Sequence, residues 1–164
     1  MSVAILMGSD SDLPVMQATI DILKQFDITH EVRVRSAHRT PDAAKAYVKD
    51  AEERGCKVFI CAAGLAAHLA GAVAGMTTRP VIGVPVDCGP LQGHDALLST
   101  VMMPGGIPVA TVAIGKAGAK NAGYLAAQIL GIADQAMADK VKAERVANAK
   151  ALLAKDAAMQ AKLG

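Results

Sequence analysis

Five short apolar runs divide the chain, and between them hydrophobic residues return at every third or fourth position. The runs are VAILMG at 3–8, HEVRVRS at 30–36, KVFICAAG at 57–64, PVIGVPV at 80–86 and PVATVAI at 108–114. Segments this short, bounded by turn residues, suit strands; HEVRVRS alternates, whereas the other four are apolar on both faces. Helical periodicity follows the first four runs. It extends from about Leu13 to Phe26, from Pro41 to Arg54, through an Ala-rich stretch to Ala74, and over HDALLSTVMM at 94–103. A fifth helix, AKNAGYLAAQIL, follows the last strand, spanning Ala119 to Leu130. Strands apolar on both faces, alternating with single helices, form right-handed βαβ units on a parallel sheet. The pattern predicts an α/β chain: a three-layer αβα sandwich, flavodoxin-like, with a five-stranded parallel sheet.

Residues 1–133 supply that domain, leaving 134–164 as a C-terminal helical tail. The tail is charged and Ala-rich, carries Val141, Val146, Leu152 and Leu153, and has no strand of its own to cover. Two readings stand: an extension reaching over a neighbouring subunit, or a solvated helix frayed at its end.

Composition refines this picture. Hydrophobic residues make up 52% of the chain but aromatics only 2%. The core therefore depends on close contact between small side chains, and oligomer contacts can supply further burial. A net charge of +2, without a basic run or interleaved aromatics, offers no support for nucleic-acid binding. Cys56, Cys61 and Cys88 are odd in number and lack CxxC spacing, which points to a reducing compartment and to neither a disulfide framework nor a zinc site. The first residues lack the basic segment and apolar length of a signal peptide. No stretch reaches the roughly 20 apolar residues that span a bilayer. A cytoplasmic protein with no membrane partner is expected.

Ligands of open parallel sheets bind beyond the carboxyl ends of the strands. The first such loop is GSDSDLP at 8–14. Gly8 admits close backbone approach, and Ser9, Ser11 and Asp12 present short polar groups at a helix N-terminus, which favours a phosphate. Ser11 or Asp12 can alternatively serve as a plain helix cap. The second loop is SAHRTP at 36–41. Thr40 as N-cap and Pro41 at the first helical position explain the helix start. They do not explain Ser36, His38 or Arg39; the Arg39 fork suits phosphate oxygens. In the third loop, AAGLAAHLAG at 62–71, Gly64 again permits close approach. His68 there is either a satisfied core histidine or a site residue. Converging at one crevice, these groups suggest a nucleotide-like phosphate beside a proton-transfer group. GxGxxG and Trp are absent, and the four histidines are scattered without i,i+4 partners, so no redox cofactor and no metal is expected.

The motifs MGSDSD, SAHRTP, AAHLAG, MPGGIPVATVAIGKAGAKNA and LAAQIL occur in an order and spacing that resemble the PurE family, over roughly residues 3 to 132. The resemblance implies a flavodoxin-like subunit of a homo-octamer that uses no cofactor. It implies an isomerase: a mutase moving a carboxylate in N5-carboxyaminoimidazole ribonucleotide, in purine biosynthesis. It also implies site roles. Gly8, Ser9, Ser11 and Asp12 would hold ribose and phosphate, Ser36 and Arg39 the phosphate, and His38 would be the general acid/base. His68 would act beside it, with Gly64 and Leu69 at the same pocket. Members of the class that carboxylates aminoimidazole ribonucleotide directly have Lys for Arg in SAHR and lack AAHL, so the resemblance is to the mutases. The chain departs from the usual family pattern at Leu65 and Ala70, where Gly and Pro are common, and in CGPLQGHDALLS and MMP.

Two alternatives carry less support. One is direct carboxylation with CO2. The other is a non-catalytic nucleotide-binding or receiver module, for which Asp10, Asp12 and Lys116 offer a superficial basis; the third strand, however, ends in CAAG where a receiver needs Asp. Cys88 also falls at a strand end, but no neighbouring histidine in the sequence supports it as a nucleophile.

Overall fold

In the computed structural model, which describes residues 2–164, the apolar runs are five parallel strands in the order β2-β1-β3-β4-β5. These are β1 (Val3–Met7), β2 (His30–Val34), β3 (Val58–Ala63), β4 (Val81–Pro85) and β5 (Ala110–Thr111). The helices are α1 (Leu13–Gln25), α2 (Pro41–Glu53), α3 (Leu69–Ala74), α4 (His94–Val101), α5 (Gly115–Gly131) and α6 (Gln135–Leu163). No helix among the described residues is long and apolar enough to cross a membrane.

Strand alternation sorts the core into two layers. Val3, Ile5 and Met7 point with Val58, Ile60, Ile82 and Val84 toward α1 and α5. Ala4, Leu6, Phe59, Cys61 and Val81 point the other way, toward α2 and α3. Since β1, β3 and β4 are covered on both faces, their sequences show no polar side. The scarcity of aromatics has a visible consequence at α1 and α5. A Cβ on Gly123 would come 2.8 Å from Ile22 Cβ, and Thr19 Oγ1 donates 2.6 Å to the carbonyl of Ala119. Small residues bring the two helices into backbone-level contact, and the edge-to-face pair Phe26–Tyr124, with centroids 5.8 Å apart, packs between the same two helices.

Two expectations need correction. The fifth strand covers Ala110–Thr111, not 108–114, and α5 begins at Gly115, four residues before the expected start. The early helix has a visible cause. Gly115 takes φ +70, which a glycine adopts without penalty, and Asp87 lies against it. The chain therefore turns early into the helix, and the first turns of α5 pass directly over the backbone of Ala113.

The tail forms a continuous helix. Asp134 caps it by accepting the amide of Met137 at 3.1 Å. Its first turns are held by buried Val141, by Lys140 to Asp27 at 2.8 Å, and by the Tyr124 hydroxyl donating to Glu144 at 3.2 Å. Past those anchors, Val146, Leu152, Leu153, Met159 and Leu163 are all exposed.

Candidate active site

The carboxyl ends of β1, β2, β3 and β4 enclose a cleft of about 470 Å³. Three strand spacings of roughly 4.8 Å separate β2 from β4, and the cleft runs across the ends of these strands. Arg39, after β2, stands toward one end, and Leu65 and Cys88, after β3 and β4, toward the other.

The first loop is a 3-10 turn, Asp10–Asp12, leading into α1. Its cap is Ser9, where the spacing had suggested Ser11 or Asp12. Ser9 Oγ accepts the amide of Ser11 at 3.3 Å, while Asp12 Oδ2 accepts the amide of Ser9 at 3.0 Å. This reciprocal capping box satisfies donors that otherwise end a helix unpaired. Asp12 is buried beneath the loop, and burial pushes its carboxyl above the usual range, opposed by the amides of Ser9 and Gly8. A carboxyl raised on folding adds most to stability when protonated and loses that contribution as pH rises past its ordinary value near 3.8. Asp12→Asn should therefore gain stability relative to the parent as pH rises through the mildly acidic range. Urea unfolding at successive pH values measures this, and a constant difference across the range would contradict it.

The second loop is a closed turn. Thr40 starts α2 by position, yet its side chain makes no cap hydrogen bond. Instead Thr40 Oγ1 accepts the amide of Ser36 at 3.0 Å and donates to the Ser36 carbonyl at 3.1 Å. Ser36 Oγ in turn accepts the amide of Arg39 at 3.1 Å. Ser36 and Thr40 thus lock the backbone from which His38 and Arg39 project. The Arg39 guanidinium reaches back across the cleft and donates to the carbonyl of Gly8 at 2.8 Å, tying the first loop to the second.

The third loop brings His68 to His38. His38 Nε2 and His68 Nδ1 lie 2.7 Å apart, with rings edge-to-face at 79°. One hydrogen occupies that contact, held by either ring according to tautomer. Both imidazoles are exposed to the cleft, so the core reading of His68 is set aside. A Cβ on Gly64 would overlap the Cys88 sulfur, so any larger residue there would force that thiol to turn away.

All ten residues singled out from the sequence line this cleft: Gly8, Ser9, Ser11, Asp12, Ser36, His38, Arg39, Gly64, His68 and Leu69. Their reach is uneven. Asp12 and Ser36 are buried and tied into their own turns, whereas Ser11, His38, Arg39 and His68 are exposed. Ala37, Leu65, Ala66 and Cys88 also line it. Alanines carry no chemical signal; Cys88 falls at a strand end in the sequence, but its contact with Gly64 on the β3 loop is encoded by no local pattern.

The family described as AIR carboxylase matches residues 2–151. The chain belongs to that family. Among relatives within the AIR carboxylase family, the N5-carboxyaminoimidazole ribonucleotide mutase of Thermotoga maritima is 59% identical, with 85% of this chain and 81% of that protein covered. The mutases of Vibrio parahaemolyticus and Bacillus subtilis are 53% and 55% identical, covering 94% and 87% of this chain and 96% and 88% of theirs. The crystal structure of Treponema denticola PurE superposes with a TM-score of 0.85 at 34% identity, covering 94% of this chain and 96% of that one.

Proposed function

We propose that this chain is an N5-carboxyaminoimidazole ribonucleotide mutase, an isomerase that moves the carboxylate from the exocyclic nitrogen to ring carbon C4. Two supports carry the reading: relatives bearing that name at 53–59% identity over most of the chain, and the paired imidazoles at 2.7 Å in the cleft.

Substrate and product are isomers, so the enzyme needs to lend and recover one proton. The carbon–nitrogen bond breaks with its electron pair passing to nitrogen, which takes a proton from the His38–His68 pair. Neutral aminoimidazole ribonucleotide and CO2 remain side by side. C4 then attacks CO2, and its proton returns to the pair. An imidazole suits both halves because its free pKa lies near working pH. Arg39 and the hydroxyls of Ser9, Ser11 and Ser36 would bind the phosphate and ribose, with Asp12 bracing the first loop. Gly8, Gly64 and Leu69 would shape the walls. That remote grip orients the ring over the imidazoles.

The test is incubation with N5-carboxyaminoimidazole ribonucleotide, following the ultraviolet absorbance of the C4-carboxylated product. No conversion at micromolar enzyme would overturn the reading. The family's description names the carboxylase direction. Turnover that requires bicarbonate and ignores the N5-carboxylated substrate would favour that second reading. The phosphate assignment makes its own prediction: Arg39→Ala should raise KM about 10- to 100-fold with a smaller effect on kcat, the loss expected for a charge-assisted pair. Steady-state kinetics on the variant measure it.

The chain is further read as a cytoplasmic homo-octamer. Exposed Leu98, Val101, Met102 and Ile107, together with the apolar residues of α6 beyond Arg145, support self-association. Sedimentation equilibrium of the full chain checks the stoichiometry.

A further inference from the structure

Leu65 occupies an unusual position for its residue type. It holds φ +55, a left-handed conformation that costs an ordinary side chain roughly 1–2 kcal/mol, and it is 51% exposed. Neither a buried core role nor backbone geometry accounts for a leucine there, since glycine would take the same conformation freely. Its side chain crosses from the β3 loop to the β4 loop and rests on Gly89, where a Cβ would stand 2.5 Å from Leu65 Cδ2. Gly89 also has positive φ, at +73. One residue earlier on each strand end, Gly64 and Cys88 are in the close contact described above. The two loops are thus joined twice, by Gly64 to Cys88 inside the cleft and by Leu65 to Gly89 at its rim.

We infer that Leu65 is a positioning residue, an apolar latch that closes the end of the cleft opposite Arg39 and keeps water from the CO2 formed there. The inference rests on the mutase reading for its chemistry, but the latch itself is a contact that can be measured without substrate. The stage at risk is the interval after the carbon–nitrogen bond breaks. If CO2 escapes, the substrate carboxylate leaves as CO2, aminoimidazole ribonucleotide departs with the proton its nitrogen took, and the imidazole pair must recover that proton from solvent because none returns from C4. A sealed rim suppresses that loss by excluding water and retaining the small molecule. Strain kept at a site, where a glycine would relieve it, accords with such a role.

The experiment compares Leu65→Gly and Leu65→Met with the parent in three measurements. The thermal midpoint of Leu65→Gly should hold or rise by about 2–4 °C, because glycine removes the left-handed cost. The rate of modification by a disulfide thiol reagent should rise at least 5-fold, an order-of-magnitude expectation for uncovering a partly shielded group. Cys56 and Cys61 are buried, so this rate reports Cys88. The share of consumed N5-carboxyaminoimidazole ribonucleotide appearing as free aminoimidazole ribonucleotide should rise severalfold. Leu65→Met, which keeps an apolar chain of similar length, should restore the parent's thiol rate and product partition. An unchanged thiol rate in Leu65→Gly overturns the latch, whatever the activity. A faster thiol rate with unchanged partition overturns its part in retaining CO2. If the parent itself makes no C4-carboxylated product, the mutase reading fails, and the thiol rates still decide whether Leu65 covers the β4 loop.

Discussion

Replacing His38 with Asn should leave a folded protein whose kcat is at least about 100-fold lower, the usual contribution of a positioned acid/base group. The fold should tolerate the change because His38 is exposed in the cleft and its backbone is held by Ser36 and Thr40, not by its own ring. Asn keeps a polar group on the same backbone but stops short of the position of His38 Nε2, and it cannot carry a proton between nitrogen and carbon. Because the two imidazoles share one hydrogen at 2.7 Å, they should act as a unit. His68→Asn should also lower kcat, and the double variant should be no slower than His38→Asn alone, the non-additivity expected of paired catalytic groups. KM should change little in all three, since Arg39 and the seryl loops are intact. Steady-state kinetics and circular dichroism on the three variants check this. Near-parental kcat in His38→Asn would remove His38 from the chemistry, and multiplicative losses in the double variant would mean that the rings act independently.

Gly118→Ala should be the most damaging single methyl addition away from the cleft, costing about 3 kcal/mol or more. The added Cβ would overlap the carbonyl oxygen and carbon of Ala113, both backbone atoms that cannot rotate away. Relief requires α5 to lift from the end of β5, yet α5 is also held to α1 through Thr19, Ile22 and Gly123. The mutation therefore opposes two close seams at once. Urea unfolding of the variant, or its failure to accumulate as soluble protein, tests the expectation; a loss below about 1 kcal/mol would show that α5 shifts easily.

The two predictions address different parts of the molecule, and the sequence announced them unequally. Apolar runs reveal β1, β3 and β4 because those strands lie in the sheet interior, where both faces must be hydrophobic, while β2, at one edge, shows as an alternating run. Near β5 the same reasoning overreached. PVATVAI has the composition of a strand, but at the edge of the sheet only Ala110 and Thr111 pair with β4. The pattern of α5 likewise hides its first turn, since Gly115 and Gly118 carry little helical signal; they are helical because the tertiary contact over Ala113 favours it.

Thr40 shows the same limit at the scale of one side chain. Its residue type and its place before Pro41 fit a helix cap, and local chemistry cannot tell capping from closing the turn behind it. The choice depends on where Ser36 sits, which follows from β2 pairing with β1. Leu65 is legible only as a departure from its relatives' habit; its seat on Gly89 is invisible until β3 and β4 are placed side by side.

By itself the sequence determined the class of fold, the strand-end loops that carry polar chemistry, and the family, because periodicity and motif spacing are local properties of a chain. Only the tertiary structure decided that the two imidazoles touch and that Leu65 bridges its loop to the next. The reason is physical. Proton sharing and closure against water depend on distances of a few ångströms between residues about 30 positions apart, and those distances are set by strand order and register.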